Sequence, residues 1–478
     1  KLDMPGLLAL AAALGWASGF RLYAVVFFTG LAGYLGWLAL PPGLHLLTHP
    51  AMLAASGWSR VYGANSRLRI ASIGTGGKGW SDLTSTAASP HVEVTALCDV
   101  DEGAGFLGRA ASQYPHAARY TDWRRLLDQP ATFDAVIVST PDHMHAPISL
   151  PAMQLGKHVQ CQKPLTHTVF EARQMRLTAQ KYGVVTQMGN QIQSHEAYRT
   201  AVKLVHDGVI GKVREVHSWQ SGALGWMLVD DRPSGSEPVP ADLHWDHWLG
   251  VAPERPYRGQ IYHAFNWRAW QDFSNGQLGD FGCHILDPVF MALGLTSPRT
   301  IRAEAPPIHR ELWTKSCKVE YEFPGTAHTA GDRLRLTWYD GAGHFPPRSA
   351  LGLPEGSALP GSGSLLLGER GNLLIPHVAA PQLLPAEKFS DTKFELLPAR
   401  DHYVSWADAC RGEDTTTSAF DYSGPLTETV LLGTIAIRRP GATLAWKSES
   451  LVLTGAANVG SLLTKPYRSG WEPHWPAA

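Results

Sequence analysis

Three regimes of hydrophobic patterning divide the chain. Residues 5–40 (PGLLALAAALGWASGFRLYAVVFFTGLAGYLGWLAL) are apolar almost throughout, with Arg21 the single charge. About 20 apolar residues suffice to cross a bilayer, so residues 1–58 predict a transmembrane hairpin or anchor, broken near Gly15 and Gly19. A buried hydrophobic hairpin is the alternative. A signal peptide would be shorter, with a charged start and a small-residue cleavage site. Residues 59–66 read as a linker.

From residue 67 short apolar runs alternate with helical stretches. Strands are expected at 67–73, 92–97, 133–139, 159–161 and 184–188, and helices at 80–89, 121–128, 148–155 and 170–181. This alternation predicts a doubly wound parallel sheet over residues 67–190. Beyond 191 the pattern changes. A helix over 196–205 precedes a half-buried strand over 212–221. Residues 230–277 show little periodicity, and 279–293 read as one helix with Asp280 in its first turn. Strands are expected at 301–304, 318–323, 333–339, 364–367 and 372–376, interrupted by a glycine- and proline-rich loop over 341–363. Helices follow near 402–411 and 425–437. Residues 191–478 thus form a second α/β domain.

Composition narrows the function. The 478 residues carry 41 Lys+Arg against 42 Asp+Glu, which leaves no electrostatic footprint for nucleic acid. The five cysteines are widely spaced and include no CxxC pair, so neither a disulfide framework nor a structural zinc is expected, and no metal is.

The first alternating strand runs into Gly74, Thr75, Gly76, Gly77, Lys78 and Gly79, a GxGxxG, and the second ends at Asp99, 20 residues after Gly79. Strand, glycine turn, helix, strand and terminal acid at this spacing form a dinucleotide fingerprint. The glycines admit a pyrophosphate to a helix N-terminus. Asp99 would accept from the adenosine ribose and repel a 2′-phosphate, which favours NAD over NADP. Ligands of such sheets bind at the carboxyl ends of the strands. Thr140, Pro141, His145, Gln162, Lys163 and Asn190 fall on that rim and are the expected cofactor contacts. His143 and His145 have a spacing that can serve a metal, but lack a third ligand nearby in sequence. Asp280 and His284, four apart, share a helical face and fit acid–base work. The rings crowded into 245–273 either stack on the C–H faces of a sugar or pack a long loop against the sheet.

These stretches resemble the glucose–fructose oxidoreductase / inositol dehydrogenase (Gfo/Idh/MocA) family. The matching residues are IASIGTGGKG, ALCDVD, VIVSTPDHMHAPISLPAMQLGKHV, QKPLTHTVFEAR, VVTQMGN and NWRAWQDFSNGQLGDFGCHILDPVFMALG, within a resemblance covering 67–475. The resemblance implies an NAD-binding Rossmann domain followed by an α/β domain whose large, open, mainly antiparallel sheet often mediates oligomers, so a homo-oligomer is expected. It implies an NAD(P)-dependent dehydrogenase acting on a CH–OH group of a sugar, glycoside or cyclitol. The lysine of the family's usual Glu-Lys-Pro motif maps onto Lys163, and its Asp-xxx-His pair onto Asp280 and His284. The expected roles are His284 as base, Asp280 orienting its imidazole, and Lys163 steadying the alkoxide, with Trp267 and Arg268 as further substrate contacts. Gln162 departs from the usual glutamate. Some relatives cleave glycosides by transient oxidation, which is the alternative activity; a membrane-tethered sugar-binding protein with a vestigial site is another. The opening segment, LGWASGFRLYAVVFFTGLAGYLGWLALPPGLHLLTHP, resembles the start of a small family of uncharacterised bacterial integral-membrane proteins. The expected location is a membrane if residues 5–40 insert, and otherwise cytoplasm or periplasm.

Overall fold

The computed structural model describes residues 67–222, 229–342, 344–347, 359–473 and 475, together with 32–33 and 35–37. The anchor expected over residues 1–58 lies almost wholly outside the described residues. Among the described residues no helix is long and apolar enough to cross a membrane.

The first unit is a six-stranded parallel sheet. Its strands are β1 (Leu68–Ile73), β2 (Val92–Cys98), β3 (Ala118–Tyr120), β4 (Ala135–Val138), β5 (His158–Cys161) and β6 (Thr186–Met188), in the order 3-2-1-4-5-6. Helices α1 (Gly77–Ala87), α2 (Leu107–Gln113), α3 (Trp123–Leu127), α4 (His145–Gln154) and α5 (Val169–Tyr182) make the crossovers. Strand β4 reads as a continuous apolar run because both its faces are covered, and all four of its residues are buried. Helix α5 starts sharply because Thr168 and Glu171 form a reciprocal capping box, and it stops at Gly183 in the left-handed conformation.

The second unit begins with α6 (Glu196–His206) and β7 (Val213–Gln220). It continues through α7 (Trp245–Leu249), α8 (Gly276–Ile285) and α9 (Asp287–Leu293) to β8 (Thr300–Glu304), β9 (Cys317–Pro324) and β10 (Arg333–Asp340). Strands β11 (Ser362–Gly368), β12 (Asn372–Pro376) and β13 (Gln382–Leu384) follow, then α10 (His402–Arg411), α11 (Phe420–Ile437), β14 (Thr443–Lys447) and β15 (Val452–Thr454). The nine strands form one open sheet in the order 13-12-11-7-10-9-8-14-15, antiparallel except where β7 lies parallel to β10. Strict alternation of buried and half-buried positions along β9 marks a strand with one covered face. The helix expected over 279–293 is two: the ring of Pro288 removes a donor near the start of α9, and the chain restarts there. Asp280 consequently sits in the second turn of α8, whose first residue is Gly276.

The two units share their packing. Helix α11 lies along α5, where Arg173 and Glu428 form a bidentate pair at 2.8 and 2.9 Å. From α10, Trp406, Ala407 and Cys410 enter the same apolar cluster as Leu68, Ile70 and Leu83. Removing one member of a buried pair leaves the other charge uncompensated. Arg173→Met should therefore cost about 3–5 kcal/mol in urea unfolding, and Arg173→Met with Glu428→Leu should recover most of it.

Candidate functional site

The site grows from the carboxyl ends of β1, β4 and β5. Gly74 leaves β1 with φ of +82°, and its N–H donates to the Cys98 carbonyl at 2.8 Å. A Cβ at Gly74 would sit 2.5 Å from the Ser139 carbonyl oxygen, and one at Gly79 would sit 2.0 Å from that of Gly74. Only glycine lets strand, turn and helix close this tightly. Helix α1 then starts with no side-chain cap and no acid in its first turn, so its leading N–H groups are left for an anion. Asp99 Oδ2 accepts from the N–H groups of Thr75 (2.6 Å) and Gly76 (3.2 Å) and from the Thr75 hydroxyl (3.1 Å), which locks the turn against β2. Burial raises its carboxyl, and these donors oppose the rise. Thr140 Oγ1, beside the turn, is buried without a hydrogen-bond partner among the described residues. A glycine cradle, an uncapped helix start, a fixed acid and an orphaned hydroxyl together fit a dinucleotide.

Several expected contacts have other work. Lys78 is paired with Asp82 and donates to the Tyr403 hydroxyl at 2.7 Å, so its ammonium is held on α1. Gln162 Nε2 donates to Asp82 Oδ2 at 2.8 Å, and the Ser139 hydroxyl donates to the same oxygen at 2.8 Å. Asp82 is fully buried. The amide at 162 is therefore matched to a carboxylate on α1, which a glutamate at 162 would repel. His145 places one ring nitrogen 2.8 Å from the Pro164 carbonyl and the other 2.8 Å from that of Thr140, tying the two strand-end loops together. His143 is packed against Trp248 and Phe273. Asn190 is fully buried, its amide donating to Asp287 (3.1 Å) and its carbonyl accepting from the Ser418 hydroxyl (2.6 Å). These polar atoms of Lys78, Gln162 and Asn190 are committed to protein partners.

Lys163 reaches across to the second unit. Its Nζ donates to Asp280 Oδ1 at 2.6 Å and to the Asp280 carbonyl at 2.7 Å. Arg268 Nε lies 3.6 Å from the same carboxylate, and its guanidinium stacks 4.4 Å from the Trp267 ring centroid. Burial would raise the Asp280 carboxyl, but Lys163 and Arg268 outweigh it and hold it at about 2. Asp142 lies close by, accepting at Oδ2 from the Asn275 backbone and side chain; burial and then the Asp280 charge raise its carboxyl to about 7. His284 is buried, and its Nδ1 has no hydrogen-bond partner among the described residues. Burial first, then the Lys163 charge, push its pKa well below 6.5, so the imidazole is neutral at physiological pH.

Lys163, Asp280, Arg268, Trp267 and His284 are thus brought together, with one correction. Asp280 turns its carboxylate to Lys163 and Arg268, and acts on His284 through its charge rather than by a hydrogen bond. The rings of 245–273 mostly pack. Trp248, Tyr262, Trp270 and Phe273 are buried in one cluster, whereas Phe265 is exposed. Sequence reasoning missed Asp82, Asp142, Asn275 and Tyr403. Of these only Asp142 had a visible signal, its place in the strand-end turn.

Comparison with known proteins bears on the family and the fold. The model of an oxidoreductase family NAD-binding Rossmann fold (GFO_IDH_MocA) matches residues 68–190, and that of the family's C-terminal alpha/beta domain matches 195–330. A domain of unknown function (DUF4126) matches residues 8–61. The chain is 34% identical over 163 residues to a glycosyl hydrolase family 109 protein of Saccharopolyspora erythraea, which is 32% of this chain and 35% of that protein. It is 31% identical over 178 residues to the levoglucosan dehydrogenase of Pseudarthrobacter phenanthrenivorans, 37% of each. The matches span little more than a third of these curated relatives. The WlbA dehydrogenase of Bordetella pertussis, solved with NADH and UDP-GlcNAcA, superposes with a TM-score of 0.56 at 15% identity, covering 80% of this chain and 99% of that one. At that identity the likeness is one of fold.

The Gln162–Asp82 match gives a direct test. Gln162→Glu should lower stability by about 1–3 kcal/mol in thermal or urea unfolding, and adding Asp82→Asn should restore it.

Proposed function

The chain belongs to the Gfo/Idh/MocA oxidoreductase family over residues 68–190 and 195–330, and on that premise we propose that it transfers a hydride between NAD and a hydroxyl or ketone of a sugar, glycoside or cyclitol. The observation that carries the reading is the Lys163–Asp280 contact at the strand ends, next to the glycine cradle. NAD, when bound, supplies the hydride acceptor, held by the turn at Gly74–Gly79, by Asp99 and by Thr140.

The chain's own groups handle the proton. Two of the three N–H directions of Lys163 are spent on Asp280, which fixes the ammonium and leaves the third for a substrate oxygen. His284 is neutral and takes the hydroxyl proton. Lys163 steadies the negative charge that develops on that oxygen. Asp280 anchors Lys163, and the cations beside His284 favour return of its proton afterwards. General acid–base help is worth roughly 10²–10⁴-fold, so Lys163→Ala and His284→Ala should each reduce kcat/KM by that range on the best substrate of a hexose and inositol panel. Full turnover by either variant refutes the assignment. Because the His284 pKa lies well below 6.5, the base stays unprotonated as pH falls to that value and adds no acid limb to kcat/KM near 6.5; a limb near 7 should come from Asp142, whose carboxyl is raised to about 7, and should disappear in Asp142→Asn.

The similarity to a glycosyl hydrolase family 109 protein favours a second reading, cleavage of a glycoside through transient oxidation. Aryl glycosides incubated without added NAD separate the two. Aglycone release with no net NADH supports cleavage, and NADH formation from added NAD supports oxidation.

A further inference from the structure

His377 follows strand β12 of the nine-stranded sheet, and its N–H donates to the Ser362 carbonyl at 3.0 Å. Its ring centroid lies 5.9 Å from that of His284. Lys163 acts electrostatically on both rings, so the three groups converge from three elements: β5, α8 and β12. The His377 Nδ1 is 2.8 Å from the hydroxyl of Tyr198, a residue of α6 that is 1% exposed. A buried phenol needs an acceptor for its proton, and His377 is the hydrogen-bond partner Tyr198 has among the described residues. Tyr198 therefore donates to Nδ1, and the ring proton sits on Nε2. Nε2 has no hydrogen-bond partner among the described residues, and His377 is half-buried rather than packed away. Opposite it, His284 is buried with an unpartnered Nδ1.

We propose that His377 is a substrate-binding residue whose Nε2–H donates to a hydroxyl oxygen next to the one oxidised, with Tyr198 the positioning residue that sets its tautomer. The inference rests on the dehydrogenase reading and sharpens it: the substrate presents neighbouring free hydroxyls, one to the neutral imidazole of His284 and one to His377. Burial, then the charges of Lys163 and His195, lower the His377 pKa, so the ring acts as a neutral donor and not as a cation. His402, by contrast, has both ring nitrogens engaged within the protein, with Ser194 and Met188.

The test combines kinetics with ¹⁵N spectroscopy of the histidine rings in the full chain. On the best substrate of a hexose and inositol panel, His377→Ala should raise KM about tenfold, the worth of one hydrogen bond, with a smaller change in kcat. NAD affinity and melting temperature should hold. Tyr198→Phe should raise KM less and shift the His377 proton away from Nε2. Turnover with KM and kcat both unchanged in His377→Ala overturns the inference and leaves the dehydrogenase reading standing. If no substrate in the panel is turned over by the unmodified protein, that reading falls and spectroscopy decides the remainder: a proton on Nε2 that Tyr198→Phe displaces supports the tautomer lock, and a proton on Nδ1 in the unmodified protein overturns it.

Discussion

The ammonium of Lys163 has to be kept charged at the end of a parallel strand, half-buried, where water is scarce. Desolvating such a group is costly unless a counter-charge and hydrogen bonds replace the lost water. Asp280 supplies both from a single residue, with its carboxylate and its own backbone carbonyl. That double hydrogen bond ties the end of β5 to α8. Other features follow from it. Arg268 gathers at the same carboxylate and stacks on Trp267. Asp142, buried near a second carboxylate, has its own carboxyl raised to about 7. The imidazole of His284, facing cations, stays neutral.

Charge placement also explains the amide at position 162. A strand-end glutamate would face Asp82, which already receives Lys78 and Ser139. One negative charge satisfies that pocket, and it sits on α1 instead of β5. The amide nitrogen of Gln162 is the donor that completes the set. The departure from the usual motif is thus matched by the carboxylate it meets in this chain. Lys163, one residue on, takes its counter-charge from the other unit.

Much of this was legible from the sequence, for physical reasons. A strand buried on both faces writes itself as an unbroken apolar run, so β4 is visible directly. Glycines forced by close backbone approach mark the cradle, and the i, i+4 spacing of Asp280 and His284 put them on one face. What was hidden depends on contacts far apart in the chain. Nothing local to Gln162 announces Asp82, 80 residues away. Nothing near Tyr198 announces His377, 179 residues on. The division of 279–293 into two helices was missed because apolar periodicity carries through Pro288 while the backbone does not. The crowd of rings in 245–273 could not be apportioned between loop packing and ligand contact until burial separated Trp248 and Trp270 from Phe265.

The capping box of α5 has one further consequence. Glu171 is fully buried, and besides the N–H groups of His167 and Thr168 it holds the Tyr467 hydroxyl at 2.9 Å and Lys465 at 3.2 Å. Those last two partners lie nearly 300 residues downstream. During synthesis the Rossmann half emerges complete in its own strands and helices, yet with this carboxylate still lacking its cation. The buried cap of a helix in the first unit is therefore charge-balanced only when residues 465–467 are packed against it.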